Sequence, residues 1–370
     1  MENNKPLTLP PDSLPRDGRF GSGPSKVRAQ QLAAIQNPPM GTSHRRAGVR
    51  DVVGAIQSGL AQLFNLPDGY EVVLGNGGAS ALWDAITFNL VDERAQAAVV
   101  GEFSGKAARA VERAPWLSAP VVRRVDYGQV IECESAPGID TYIYAHNETS
   151  TGATTPLKRF GDADALTVVD GTSIAGGIDS DISAADFYYF SPQKCFGADG
   201  GLWLAFASPA ALERIERLSS QRWTPDFLNL QLAVTNSRKA QTLNTPAVAT
   251  LLMIENQIGW MLGEGGLPAM ETRTRASSGA IYEWAEAREF ASPFIAPEFR
   301  SPVVCTIDFA DDVDAATIAQ TLREYSIVDI EPYRSLGRNQ LRISTFPAIE
   351  TDDVVRLLAA IDAVVAAQVA

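Results

Sequence analysis

Cysteine is scarce in this 370-residue chain: Cys133, Cys195 and Cys305 are far apart and odd in number. That supply gives neither a disulfide framework nor a Cys-x-x-Cys metal site, and it points to a reducing compartment. Histidine is scarcer still, with only His44 and His146, and the stretch GTSIAG (171–176) is not the G-x-S-x-G nucleophile turn, which disfavours a hydrolase. Positive charge is short as well. Lys+Arg 31 against Asp+Glu 44 leaves a net charge of -13, so a polyanion such as nucleic acid meets general repulsion. No uninterrupted apolar run approaches the ~18 residues of a membrane span, and residues 1–15, MENNKPLTLPPDSLP, lack an apolar signal core. The expectation is a cytoplasmic protein with no membrane or nucleic-acid partner.

What is present reads as globular: 45% hydrophobic and 20% charged residues, with a length that suits roughly two domains. A flexible, proline-rich tail is expected over residues 1–15. Gly21, Gly23 and Pro24 in RFGSGPSKVR then force an irregular loop, able to approach a ligand closely, before a helix starting near Ser25. From about residue 50 helices alternate with short apolar strands: VRDVVGAIQSGLAQLFN, YEVVLG, ASALWDAITFNLV, AAVVG, SGKAARAVERA, then DTYIYAHNE, ALTVVDGTS and DFYYFSPQK. The pattern predicts an α/β domain over residues 16–268, a mostly parallel sheet flanked by helices. From 269 to 370 a smaller α+β domain is expected, with strands in PVVCTIDF, IVDIEPY and NQLRISTF and a final amphipathic helix from Thr351.

Three candidate sites fall at predicted strand ends, where open α/β sheets bind ligands. In VVLGNGGASALWDA, glycines 75, 77 and 78 end a strand while Ala79 and Ser80 open a helix. Free N–H groups and the helix dipole there suit a phosphate, although a tight turn alone would look the same. The segment is neither a Walker loop nor a dinucleotide fingerprint. Asp170 closes ALTVVD, as a turn former or as the partner of a cationic ring nitrogen. Lys194 follows 24 residues later in SPQKCFGADGG, as an exposed loop lysine or as a Schiff-base lysine. A phosphate cradle, an acid for a pyridinium and such a lysine are together the parts needed to hold pyridoxal phosphate. Phe103, just after another strand, suits either the core or the cofactor's ring face.

The ordered landmarks RFGSGPSKV, GTSHRR, GNGGASALWD, AHNETSTG, VVDGTS, SPQKCFGADGGLW, NTP and GRNQLRIST resemble the phosphoserine aminotransferase family, class V, fold-type I pyridoxal phosphate enzymes, in the actinobacterial variant. The likeness spans about residues 16–365. It implies Lys194 as the covalent anchor and proton carrier, Asp170 as the pyridinium partner, Phe103 as the stacking residue and Thr149 at the cofactor's phenolic oxygen. It assigns the cofactor phosphate to Ala79, Ser80 and Gln193, with Asn244 and Thr245 reaching in from the other subunit, and hence a homodimer with shared active sites. Arg342 matches the substrate carboxylate site, where a planar guanidinium binds bidentately. His44 and Arg45 match the pair that binds the substrate phosphate. Many relatives carry a His-Arg pair shortly before the carboxylate arginine. Here the chain reads YRSLGRNQLR, so Arg334 or Arg338 is expected to substitute.

The activity so implied is reversible transfer of an amino group between L-glutamate and 3-phosphohydroxypyruvate, giving O-phospho-L-serine and 2-oxoglutarate, in serine synthesis. A related oxo-acid of pyridoxine synthesis, 3-hydroxy-2-oxo-4-phosphooxybutanoate, is a second substrate of the family. Alternatives are an alanine–glyoxylate or serine–pyruvate aminotransferase, which needs no basic His44–Arg45 cluster, and a non-catalytic cofactor-binding scaffold. A cysteine desulfurase is disfavoured because Cys195 adjoins the candidate lysine, and a dehydrogenase because no glycine fingerprint is present.

Overall fold

The computed structural model describes residues 8–36 and 39–368. Runs rich in Val, Ile, Tyr and Phe form the large sheet: β1 (Glu71–Asn76), β2 (Ala95–Val99), β3 (Val121–Arg124) and β4 (Thr141–Ala145). A small hairpin of β5 (Asn147–Glu148) and β6 (Ala153–Thr154) follows, then β7 (Leu166–Asp170), β8 (Phe187–Phe190) and β9 (Leu202–Ala207). Their spatial order is β1-β9-β8-β7-β4-β2-β3. β2, β4, β7, β8 and β9 are buried at every position, as expected of strands covered on both faces. Neighbouring side chains alternate between two cores. Tyr188 packs with the helices Ala47–Leu63 and Val248–Gly263, while Tyr189 packs with Ser80–Asn89, Glu102–Arg113, Pro209–Gln221 and Leu230–Ser237.

The mostly parallel expectation holds, with one exception. β9 runs antiparallel to both β1 and β8. The chain between β8 and β9 contains no helix, and a parallel return would need a crossover of a dozen or more residues. The C-terminal ends of β4, β7 and β8 therefore share one edge of the sheet, beside the end of β1.

The small domain is an antiparallel sheet of β10 (Ala291–Pro293), β11 (Val304–Phe309) and β12 (Gln340–Ser344), backed by helices Ala315–Glu324 and Thr351–Gln368. IVDIEPY is not a strand: Asp329 sits at φ 65 and Pro332 cannot donate to a ladder. The expected boundary at 268/269 falls inside the continuous helix Gly266–Glu286, which leads from one domain into the other.

Two further expectations are corrected near the N-terminus. Of the predicted tail, residues 1–7 lie outside the described residues, but residues from 8 onward are packed into the small domain. Leu9 and Phe20 are 3% and 0% exposed within its core. The Arg16 N–H donates to Asp353 Oδ1 at 2.7 Å, and the Val328 N–H donates to the Gly18 carbonyl at 2.9 Å. The abundance of proline masked these apolar anchors. No helix starts at Ser25; the first one spans Ala29–Ala34, because Ser25 is engaged elsewhere, as described below.

Leu9→Ala is expected to lower unfolding stability by at least about 2 kcal/mol, the ordinary cost of emptying a buried leucine site. Equilibrium denaturation in urea checks this, since a loose tail would give no change in midpoint.

Candidate active site

Lys194 lies in the turn after β8 and is only 9% exposed. Its Nζ donates to the Ser22 carbonyl at 2.5 Å. Ser25 clamps the same turn: its Oγ donates to the Lys194 carbonyl at 2.6 Å and its N–H to the Gln193 carbonyl at 3.0 Å. Between them Gly23 has φ +127, and a Cβ there would stand 2.2 Å from Lys194 Nζ. Glycine is thus required by conformation and by the lysine at once. Burial, with help from the nearby charge of Arg342, lowers the Lys194 pKa to about 8.

The amine borders a cavity of about 210 Å³ at the shared strand edge. One wall is the start of the helix Ser80–Asn89, where Gly78 (φ +77) turns the chain; Ser80 lines this wall and is exposed. The Ala79 N–H is already given to Ser191 Oγ at 2.7 Å, although Ala79 also lines the cavity. Asp170, which ends β7, also lines the cavity. Its Oδ1 accepts from the Thr172 N–H at 2.9 Å and its Oδ2 from the Tyr189 hydroxyl at 3.2 Å. Burial raises its pKa, and no ion pair reaches it among the described residues.

Phe103, Thr149 and Gln193 complete the lining. Phe103 is placed by Glu148, a fully buried carboxylate at the start of the helix Glu102–Arg113. Glu148 Oε1 accepts from the Phe103 N–H at 3.1 Å, and Oε2 from the Ser104 N–H at 2.9 Å and the Ser104 Oγ at 2.7 Å. A carboxylate suits a helix N-terminus, whose first N–H groups lack internal partners. Arg342, at the centre of β12, donates through one terminal nitrogen to the Thr149 carbonyl at 3.1 Å. Its Nε is buried with no partner, and burial lowers its pKa.

Other predicted residues gather elsewhere. Arg45 donates to Gln241 Oε1 (2.7 Å) and to the Leu243 carbonyl (3.2 Å), while His44 Nδ1 lies 3.4 Å from Thr245 Oγ1. Burial and Arg45 lower the His44 pKa. His44, Arg45, Asn244 and Thr245 therefore form one patch, and none of them lines the Lys194 cavity. Arg338 is held by Asp308 at 2.5 Å, so its guanidinium is engaged away from the cavity wall. Arg334 is exposed and forms no ion pair among the described residues. His146 is buried beside β8: its Nδ1 is 3.1 Å from the Tyr188 hydroxyl, and burial pushes its pKa down to about 4.

Sequence reasoning missed Trp83, Asn147 and Thr172, which line the cavity, and Glu148 behind it. Asn147 and Glu148 stand in the quoted AHNETSTG and Thr172 in VVDGTS, so their motifs were in view although their roles were not.

Pyridoxal phosphate fits these residues. Thr172 Oγ1, Asn147 Oδ1 and Gln193 Oε1 are buried without partners among lining residues, and Ser22 Oγ is likewise unsatisfied beside Lys194. Such groups normally have partners. An unpaired buried carboxylate at one end and a helix N-terminus at the other suit a cation and a phosphate on one planar molecule.

Comparison with known proteins agrees with this geometry. The family model described as Aminotransferase class-V matches residues 27–331. A phosphoserine aminotransferase of Corynebacterium glutamicum is 55% identical over 361 residues, covering 96% of each chain. One from Rhodococcus opacus is 53% identical over 363 residues, covering 96% of this chain and 97% of its own. The crystal structure of a phosphoserine aminotransferase from Cytophaga hutchinsonii superposes with a TM-score of 0.86 at 22% identity, covering 94% of this chain and 99% of that one; this last likeness is one of fold.

Protein freed of cofactor should combine with added pyridoxal phosphate at a rate that rises with pH and levels off above about pH 8, the Lys194 value, because only the neutral amine attacks. Arg342→Gln removes a like charge, favours the ammonium form and should move the inflection upward. Stopped-flow absorbance against pH checks both; an inflection near the ordinary lysine value of about 10.4 would contradict the assigned burial.

Proposed function

The chain belongs to the aminotransferase class-V family, and on that premise we propose that it is a phosphoserine aminotransferase. It would use pyridoxal phosphate to exchange an amino group between L-glutamate and 3-phosphohydroxypyruvate, yielding 2-oxoglutarate and O-phospho-L-serine. One observation carries the reading: the low-pKa Lys194 amine feels the charges of both Asp170, a buried acid with no ion pair among the described residues, and Arg342, a half-buried cation whose Nε atom has no partner. The two groups call for a ring cation and a substrate carboxylate respectively.

Bound in this cavity, pyridoxal phosphate supplies an electron sink for the substrate's α-carbon. Asp170 would keep the ring nitrogen protonated, since its charge is stabilised by a cation that burial otherwise denies it. Ser80 and Gln193, at the helix N-terminus and beside Lys194, would hold the phosphate, with Phe103 against the ring face and Thr149 at the phenolic oxygen. Lys194 would anchor the cofactor and, once displaced by substrate, take the proton from the α-carbon or return it in the reverse direction. Arg342 would orient the α-carboxylate through a planar fork.

The His44, Arg45, Asn244 and Thr245 patch lies outside the cavity of its own chain, which supports a homodimer in which each subunit completes the other's site. Burial raises the thiol pKa of Cys133 and Cys305 to about 12 and that of Cys195 further; no cysteine is thereby suited to desulfurase chemistry. Three buried, unpaired thiols accord with a cytoplasmic setting. Among the described residues no helix is long and apolar enough to cross a membrane. The oxo-acid of pyridoxine synthesis shares the phosphate and the carboxylate and belongs to the same proposal.

In a half-reaction followed by visible absorbance, phosphoserine should convert the bound cofactor at concentrations at least about tenfold lower than serine or alanine, the effect of one added charge-assisted contact. Equal response to serine would remove the phosphoserine assignment while leaving the aminotransferase. Lys194→Ala should abolish turnover with an unchanged far-ultraviolet dichroism spectrum. Arg342→Lys should raise KM for every amino-acid substrate, because a point charge replaces a bidentate fork; a loss confined to phosphoserine would move Arg342 to the phosphate site.

A further inference from the structure

A substrate with a carboxylate at one end and a phosphate at the other needs two cationic sites, and Arg342 supplies one. Of the candidates named from sequence for the second, Arg338 is paired with Asp308 and Arg45 is bonded within the 241–243 loop, while Arg334 is exposed with no ion pair among the described residues. Another cation stands at the rim. Lys106 lies three residues beyond Phe103 on the helix Glu102–Arg113, so both project from one helical face. Its Nζ is 4.9 Å from the Phe103 ring centre and donates to the Tyr333 hydroxyl at 3.1 Å.

Tyr333 links the two cations. Its ring is 5.4 Å from the Arg342 guanidinium carbon and 5.8 Å from Lys106 Nζ, and it meets the Phe103 ring edge-on at 5.4 Å. Lys106 also lines an outer cleft of about 400 Å³ that shares Trp83 with the cofactor cavity. It is half-buried, and it contacts the Phe103 and Tyr333 rings and the Tyr333 hydroxyl. Asp84 lines the same cleft, yet no ion pair joins it to Lys106. A half-buried ammonium left without a carboxylate, in a protein with net charge -13, is a cation awaiting an anion.

Resting on the phosphoserine reading above, we propose that Lys106 is a specificity-determining residue that binds the distal anionic group of the substrate, phosphate ester or side-chain carboxylate, while Arg342 holds the α-carboxylate. Tyr333 aims the ammonium and separates the two positive charges. The contact lies within a single chain and is additional to whatever the His44–Arg45 patch contributes across a dimer.

The test uses the cofactor-loaded enzyme and the Lys106→Met and Lys106→Arg variants, with phosphoserine, glutamate and serine as substrates and inorganic phosphate as competing ligand. Lys106→Met keeps the aliphatic stem over Phe103 and removes only the charge. The expected result is a rise in KM of about tenfold for phosphoserine and glutamate, the loss of one charge-assisted contact. Limiting kcat and the serine reaction should be unchanged, inhibition by inorganic phosphate should weaken in parallel, and Lys106→Arg should restore most of the affinity. Unchanged KM for phosphoserine and glutamate in Lys106→Met overturns the inference while the phosphoserine assignment survives. Equal impairment of serine and phosphoserine also overturns it, since that marks displacement of Phe103 or Tyr333. A parent enzyme that does not prefer phosphoserine to serine overturns the assignment, and the inference falls with it.

Discussion

The buried carboxylate of Glu148 is the point on which the site is hung. It sits 0% exposed, and every bond it receives comes from Phe103, Ser104 or Ser150. Several N–H and O–H donors take the place of the water that a buried carboxylate gives up, and a helix N-terminus supplies such donors. Gly101 makes room for it, because a Cβ there would stand 2.4 Å from Glu148 Cγ. The same residue thus fixes the helix that carries Phe103 and Lys106 and ends the strand that carries Asn147, just before Thr149. The loop beyond it joins the domains: the Thr149 carbonyl accepts from Arg342, the Thr151 carbonyl from Thr306 Oγ1 and the Gly152 carbonyl from the Ser301 N–H.

From this arrangement follows an electrostatic tension. Lys194 and Arg342 are held below their ordinary pKa values and Asp170 above, burial being the leading cause in each case. For Lys194 the folded state binds its proton less tightly than the unfolded chain. Its contribution to stability therefore improves as pH rises from about 8 toward the unfolded value near 10.4. For Asp170 the folded state holds the proton more tightly, and stability falls as pH rises from the unfolded value through the folded one. At neutral pH both groups oppose folding, and both are relieved by a ligand that carries a cation to Asp170 and reacts with Lys194. The cavity is a stored preference for such a ligand, and the surrounding cores supply the stability that permits it.

Much of the site was legible because its parts lie at strand ends, where local patterns speak for themselves. ALTVVD and FYYF end β7 and β8 on one edge, so Asp170 and Lys194 meet without any long-range information. What sequence pattern could not reveal depended on tertiary partners. The proline-rich start of the chain reads as a tail, yet Leu9 and Phe20 complete the core of a domain formed mainly by residues hundreds of positions away. Ser25 has the chemistry of a helix cap but spends its hydroxyl on Lys194. β9 reverses direction because the preceding turn lacks a crossover helix, a fact of connection rather than composition. Glu148 was quoted inside its motif and passed over, since an isolated acid in a polar stretch gives no sign of burial until the helix it caps is in place.

Cofactor chemistry and substrate choice are thereby encoded at different distances. Asp170, Lys194 and Phe103 lie on or beside the large sheet, whose fold persists in a solved structure only 22% identical to this chain. The groups able to recognise a substrate's charged end come from separate places: Arg342 from the small-domain sheet, Lys106 from a helix flank, and His44 with Arg45 from a segment before the first long helix. Lys106 and Arg342 meet through Tyr333 rather than through a shared strand edge. A cation displaced at one such place, as Arg338 is by Asp308, can be replaced from another element without disturbing the cofactor cavity. Specificity in this fold is therefore the layer most open to change, and the residues that set it have to be found by their unpaired charge rather than by their position in a motif.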